Sequence, residues 1–190
     1  MEVHLRRLQR QAAEGADRHR QLTLKVAVIG NTGSGKTTFA RALAQKLGVP
    51  HVELDALHWK SDWVMSSAEE VRAAVGEVLS GDGWVVDGNW GSTLGTTVLD
   101  QADEVVWLDL PLLTAFRRLL RRTWRRVRTR EELWGTTNRE TFRSAFMSRD
   151  SILLFQLKTH RTRRRRNLEL LADYPHVRLH SVRDVERYLA

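Results

Sequence analysis

The eight residues GNTGSGKT, at positions 30–37, restrict the fold more than any other stretch of the chain. They match GxxxxGK[ST] at every fixed position. The apolar run LKVAVI before them reads as a buried strand, and TTFARALAQKLG after them places Phe39, Leu43 and Leu47 at helical spacing. A strand that turns through glycines into a helix can bend its backbone N–H groups inward around an anion, because no Cβ atom intrudes. The positive end of the helix dipole points at the same place. A phosphate-binding loop at the first strand–helix junction demands a parallel sheet with helices packed on it.

The rest of the sequence continues in that rhythm. HVEL, WVVD, EVVWLDLP and HVRLH read as four further short strands. SSAEEVRAAVGEVLSG opens with a capping pattern of Ser and early Glu, LLTAFRRLLRRTWRRVRTR is a long basic helix, RNLELLADY a later helix, and VRDVERYLA a closing one. Alternation of this kind predicts an α/β three-layer sandwich. The chain has 190 residues, enough for one compact domain. Its longest apolar runs are far short of a membrane span, it has no cysteine, and its first residues lack the apolar core of a secretory signal, which together point to a cytoplasmic protein. Residues 1–21 read as an N-terminal extension and residues 22–190 as the folded domain.

The phosphate loop implies ATP and Mg²⁺ as ligands. The expected cradle is Gly30, Asn31, Thr32, Gly33, Ser34, Gly35, Lys36, Thr37 and Thr38, with Lys36 bridging the β- and γ-phosphates and the Thr37 hydroxyl on the metal. The charge distribution adds a second anion-seeking region. Residues 110–166 hold 17 Lys or Arg against 4 Asp or Glu, so within a net charge of +8 the remainder of the chain carries −5. That segment must meet a polyanion, either the phosphates of a nucleotide or a nucleic-acid backbone. The run RTRRRR, at 161–166, suits either, although no aromatic interleaving or reader motif supports sequence-specific nucleic-acid binding.

Neither an NKxD element nor a DxxG loop is present, so the chain does not read as a guanine-specific GTPase. It resembles instead the nucleoside-monophosphate-kinase group of phosphate-loop proteins. LDLP followed by a helix of paired arginines is similar to the fourth strand and lid-entry helix of adenylate kinases. DGNW sits where those enzymes carry a DG motif. HVELDALHWKSDW, DGNW and ELWGTTNRE together look still more like the bacterial topology-modulation-protein relatives of adenylate kinase. The resemblance implies a five-stranded parallel sheet of order 2-3-1-4-5, with residues 112–166 as an arginine-rich helical lid, and a kinase that works as a monomer or homodimer.

Carried over by position, the resemblance puts Asp87 beside the phosphate loop as a Mg²⁺ carboxylate, and Arg118, Arg122 and Arg139 over the γ-phosphate. It also puts the loop containing Arg183 near the adenine. Asp109 reads as a strand-ending residue. On the acceptor side, the two arginines with which adenylate kinases hold a monophosphate are replaced by His58 and Gly91, which removes the forks a phosphate needs. Asp55 stands where hydroxyl-phosphorylating relatives such as shikimate kinases place a carboxylate, and a positioned Asp can receive the proton of an alcohol. Asp55, His58, Trp59, Asp87, Asn89 and Trp90 are therefore the expected acceptor-side residues, with Lys36 and Asp55 in catalysis. The competing expectation is a nucleic-acid-associated ATPase that uses the basic segment to track phosphates.

Overall fold

The computed structural model describes residues 24–88, 93–149 and 151–190. The N-terminal extension, and Asn89 and Trp90, lie outside the described residues.

Five parallel strands form one sheet of order β2-β3-β1-β4-β5: β1 Lys25–Gly30, β2 His51–Glu53, β3 Trp84–Asp87, β4 Glu104–Leu108 and β5 His176–Leu179. This is the order the resemblance implied. The central strands bury the apolar runs at 26–29, 84–86 and 105–108 because both faces of the sheet are covered, as parallel sheets require. Alternate residues serve opposite layers. Val26, Val28, Val85 and Val106 meet Phe39 and Leu43 of α1 (Lys36–Leu47) and Tyr188 of the last helix. Ala27, Trp84, Val86, Val105 and Trp107 meet Val71, Val75 and Leu79 of the helix that precedes β3.

The helices follow the sequence signals closely at most ends. After α1 comes a short α2, Leu54–His58, which the sequence reading treated only as the end of a strand. Helix α3, Ala68–Leu79, starts at the capping box of Ser67 and Glu70, in which the Ser67 hydroxyl accepts the Glu70 N–H and the Glu70 carboxylate accepts the Ser67 N–H. A single turn, α4, Thr97–Asp100, leads into β4. The basic segment is a pair of packed helices, α5 Leu112–Thr129 and α6 Ile152–Leu170, connected through a π-helical turn at Arg143–Met147. Helix α6 begins well before the predicted RNLELLADY. Its inward face is Leu153, Gln156 and His160, two of them polar, so no apolar periodicity announced it. Helix α7, Val182–Leu189, closes the chain behind a second capping box, Ser181 with Asp184. Among the described residues no helix is long and apolar enough to cross a membrane.

Candidate active site

The carboxyl ends of β1, β2, β3 and β4 open into one cleft of about 1980 Å³, bounded on the far side by α5 and α6. Pockets for one small ligand run to about 300–1,000 Å³, so this cleft has room for a nucleotide and a second molecule.

The phosphate loop forms its floor. Gly33 adopts φ +78°, and a Cβ there would lie 2.4 Å from the Ala115 carbonyl oxygen and 2.9 Å from Leu119 Cβ. The loop and the first turns of α5 are therefore in backbone contact, and glycine alone permits it. Arg118 sits on this junction and donates to the Ser34 carbonyl at 3.1 Å. Asn31 Nδ2 donates to the His160 carbonyl at 3.3 Å, which fixes α6 to the other side of the loop. Lys36 is partly buried and its Nζ reaches the Asn31 carbonyl at 3.4 Å. Desolvation pushes the Lys36 pKa down, Asp55 and Asp87 pull it back, and Arg163 and Arg122 press in the same direction as burial. Arg122 and Arg163 are themselves lowered, chiefly by desolvation, and each feels the Asp55 carboxylate. Both guanidinium groups repel the Lys36 ammonium in a partly buried cleft. A triphosphate would relieve that repulsion, with the donors already in place.

At the end of β3, Asp87 is 1% exposed. The Thr37 hydroxyl donates to its Oδ2 at 2.9 Å and His51 Nε2 lies 2.9 Å from its Oδ1. The hydroxyl and carboxylate oxygens expected to hold Mg²⁺ are thus side by side, and oxygen donors suit a hard cation. Among the described residues no cluster of three or more His, Asp or Glu could hold a metal. Such a cation would complete its shell with phosphate and water oxygens, as Mg²⁺ habitually does. Gly88 follows at φ +147°, and a Cβ there would lie 2.6 Å from Leu54 Cβ. The DG turn therefore brings the start of α2 against the end of β3. Asp55 in the first turn of α2 is exposed to the cleft, which His58 and Trp59 also line.

The structure disperses other expected residues. Arg139 is exposed, pairs with Glu132 at 2.6 Å and is not part of the cleft lining. Arg183 is exposed on the first turn of α7 and does not line the cleft either, whereas Val185 and Leu189 of that helix do. Asp109 is the centre of an ion-pair hub: Arg164 Nε donates to both its oxygens at 2.9 Å, and Arg178 Nη2 to Oδ2 at 2.6 Å, with the Arg178 guanidinium 4.3 Å from the centre of the Trp107 ring.

Several site residues escaped the sequence reading. Arg163 and Arg166 line the cleft, while Arg164 between them turns to Asp109 and Arg165 pairs with Glu169. Spacing of three places Arg163 and Arg166 on one helical face, a signal hidden inside an unbroken basic run. His51, Glu53 and Trp134 lie in segments that carry the resemblance but have no role assigned there, and their contacts become visible only once β2, β3 and the lid connection are assembled.

Comparison with known proteins agrees with this architecture. The sequence profile of an AAA domain family, AAA_18, matches residues 26–142. The chain belongs to that family. The match runs from β1 through the phosphate loop and α5 into the connection before α6. No curated protein sequence matches significantly. Among solved structures, shikimate kinase from Acinetobacter baumannii in complex with shikimate is similar at 17% identity, over 89% of this chain and 92% of that one, with a TM-score of 0.58. A gluconokinase from Sinorhizobium meliloti 1021 is similar at 20% identity, over 90% and 93%, with a TM-score of 0.51. Shikimate kinase from Bacteroides thetaiotaomicron is similar at 16% identity, over 87% and 94%, also at 0.51. At these identities the family member shares their fold.

Proposed function

We propose that the protein is a phosphotransferase that passes the γ-phosphoryl group of ATP to a hydroxyl of a small-molecule acceptor. The observation that carries this reading is the placement of Asp55, a carboxylate exposed to the cleft that acts electrostatically on Lys36, Arg122 and Arg163. A nucleotide switch needs the cations. It has no need of a free carboxylate opposite them.

In the reaction, an acceptor oxygen attacks the γ-phosphorus, the bond from that phosphorus to the β,γ-bridging oxygen breaks, and ADP leaves with the electron pair. The hydroxyl proton passes to the Asp55 carboxylate. Lys36, Arg122 and Arg163 hold the charge that spreads over the equatorial oxygens, and Arg118 braces the phosphate loop through Ser34. Mg²⁺, held at Thr37 and Asp87, would neutralise the β- and γ-oxygens. Residues 112–166 act as the lid. The fold is shared with shikimate kinases and a gluconokinase, and an alcohol as acceptor is consistent with kinases of that kind. The missing monophosphate forks at His58 and Gly91 support it. The resemblance of HVELDALHWKSDW and ELWGTTNRE to topology-modulation relatives fits the same family of kinases. A nucleic-acid role is less favoured, because Arg163 and Arg166 of the basic run line the cleft and Arg164 is drawn to Asp109.

The test is coupled ADP formation over a panel of alcohols, nucleosides and nucleotides, with Lys36→Ala as control. At least one acceptor should raise turnover above that variant; if none does, the phosphotransferase reading fails.

A further inference from the structure

The segment ELWGTTNRE has no part in the chemistry above, yet it holds a buried amide. Asn138 is 2% exposed. Its Nδ2 donates to the Lys60 carbonyl at 2.7 Å and its Oδ1 accepts the Trp63 N–H at 2.8 Å, so one side chain in the lid connection clasps the turn that follows α2. A second link runs beside it, from Trp134 Nε1 to Glu53 Oε1 at 3.1 Å. Both the clasped turn and the lid connection are strained. Trp63 has φ +56° and Trp134 φ +54°, left-handed conformations that bulky side chains avoid. Strain of this kind persists where surrounding contacts over-determine it, and it concentrates at ligand clamps.

What the strain secures is a chain of rings. Trp59 and Trp63 stand 5.7 Å apart at 76°, and Trp63 and Trp134 6.1 Å apart at 88°. All three line the same cleft as the phosphate loop, and Trp63 remains 43% exposed. The two segments that carry these rings add only carboxylates to the charged lining of the cleft, Glu53 and Asp55 from one and Glu131, Glu132 and Glu140 from the other, whereas its lysine and arginines come from α1, α5 and α6, Arg118 among them being committed to Ser34. A phosphorylated acceptor would face these carboxylates. A neutral ring with hydroxyl groups would put its flat face on tryptophan and its O–H donors on carboxylate oxygens.

Resting on the kinase reading, we propose that Trp59, Trp63 and Trp134, assembled by Asn138, form the acceptor wall of the site, and that the acceptor is an uncharged ring-bearing alcohol. The wall joins the lid connection to the acceptor side, so Asn138 is a positioning residue for acceptor recognition.

The experiment is steady-state kinetics of the full chain with ATP and three sets of acceptors: free sugars and nucleosides, their monophosphates, and acyclic polyols. Members of the first set should raise ADP formation above the Lys36→Ala control, and whether sugars or nucleosides do so identifies the source of the ring. Trp63→Gly removes the ring at a backbone angle that glycine accepts freely. It should raise the acceptor KM by about tenfold, the equivalent of about 1.4 kcal/mol, leave the KM for ATP within about twofold, and leave the melting temperature undiminished. Asn138→Ala should move the acceptor KM in the same direction, and Asn138→Asp, which keeps the acceptor for the Trp63 N–H, should move it less. Turnover confined to monophosphates or acyclic polyols, or an acceptor KM unmoved in both Trp63→Gly and Asn138→Ala, overturns the wall and leaves the kinase standing. Absence of any acceptor-stimulated turnover overturns both.

Discussion

Replacing Gly33 with Ala tests whether the lid helix is locked to the phosphate loop. An alanine in left-handed backbone costs about 1–2 kcal/mol, less about 0.5–1 kcal/mol recovered because the unfolded chain loses glycine's freedom. Gly48, at φ +69° with nothing within 4 Å of the place a methyl would occupy, isolates that backbone cost, so Gly48→Ala should destabilise by at most about 1.5 kcal/mol. At Gly33 the same methyl lands 2.4 Å from the Ala115 oxygen and 2.9 Å from Leu119 Cβ. The nearer atom belongs to helix backbone, which cannot rotate aside, so α5 must shift, and overpacking of this kind adds about 1–3 kcal/mol. Gly33→Ala should therefore be less stable than Gly48→Ala by about 1–3 kcal/mol in urea unfolding. The shift also draws Arg118 off Ser34, so ATP affinity by calorimetry should fall in Gly33→Ala and hold in Gly48→Ala. Equal stability of the two variants, within about 0.5 kcal/mol, would refute the locked junction.

Asp109→Asn should lower stability by about 1–3 kcal/mol, the figure reduced because Arg164 is 46% and Arg178 25% exposed at the side chain; thermal unfolding measures it, and an unchanged midpoint would show that the hub is ornamental. Acid should loosen the capping boxes. Hydrogen bonding from Lys60, then from the Ser67 backbone, holds the Glu70 carboxyl below its ordinary 4.5, so its contribution is present above that pH and is lost as pH falls through the lowered value. Glu70→Gln should accordingly show a shallower loss of stability on acid titration than the unaltered chain, and parallel titration curves would contradict this.

Local and short-range signals carried the fold well. The phosphate loop, the Ser67–Glu70 box and the apolar runs of β1 and β3 each report their own structure within a few residues, and the family resemblance supplied strand order. Contacts across long separations left no such trace. Asp109 looks like a strand end in the sequence, yet it is held by Arg164 and Arg178, 55 and 69 residues further on. His51 meets Asp87 only because β2 lies beside β3. The lid connection shows the same limit from another side. The resemblance points to Arg139, which forms an exposed pair, whereas its neighbour Asn138 is buried, because an amide can satisfy one backbone donor and one backbone acceptor together and a guanidinium cannot.

The position of β1 between β3 and β4 also governs how the chain must be made. This strand is the first described one to leave the ribosome, and it is apolar on both faces. Its second neighbour, β4, ends 78 residues later, at 108 against 30. At about 5–20 residues per second of synthesis that interval lasts roughly 4–16 s. Through that time the strand has an unpaired edge, and the phosphate loop that follows it still lacks the α5 residues Ala115 and Leu119 against which Gly33 packs. Production of this protein should therefore respond more to chaperone supply and to the pace of translation over residues 30–108 than to added ATP or Mg²⁺.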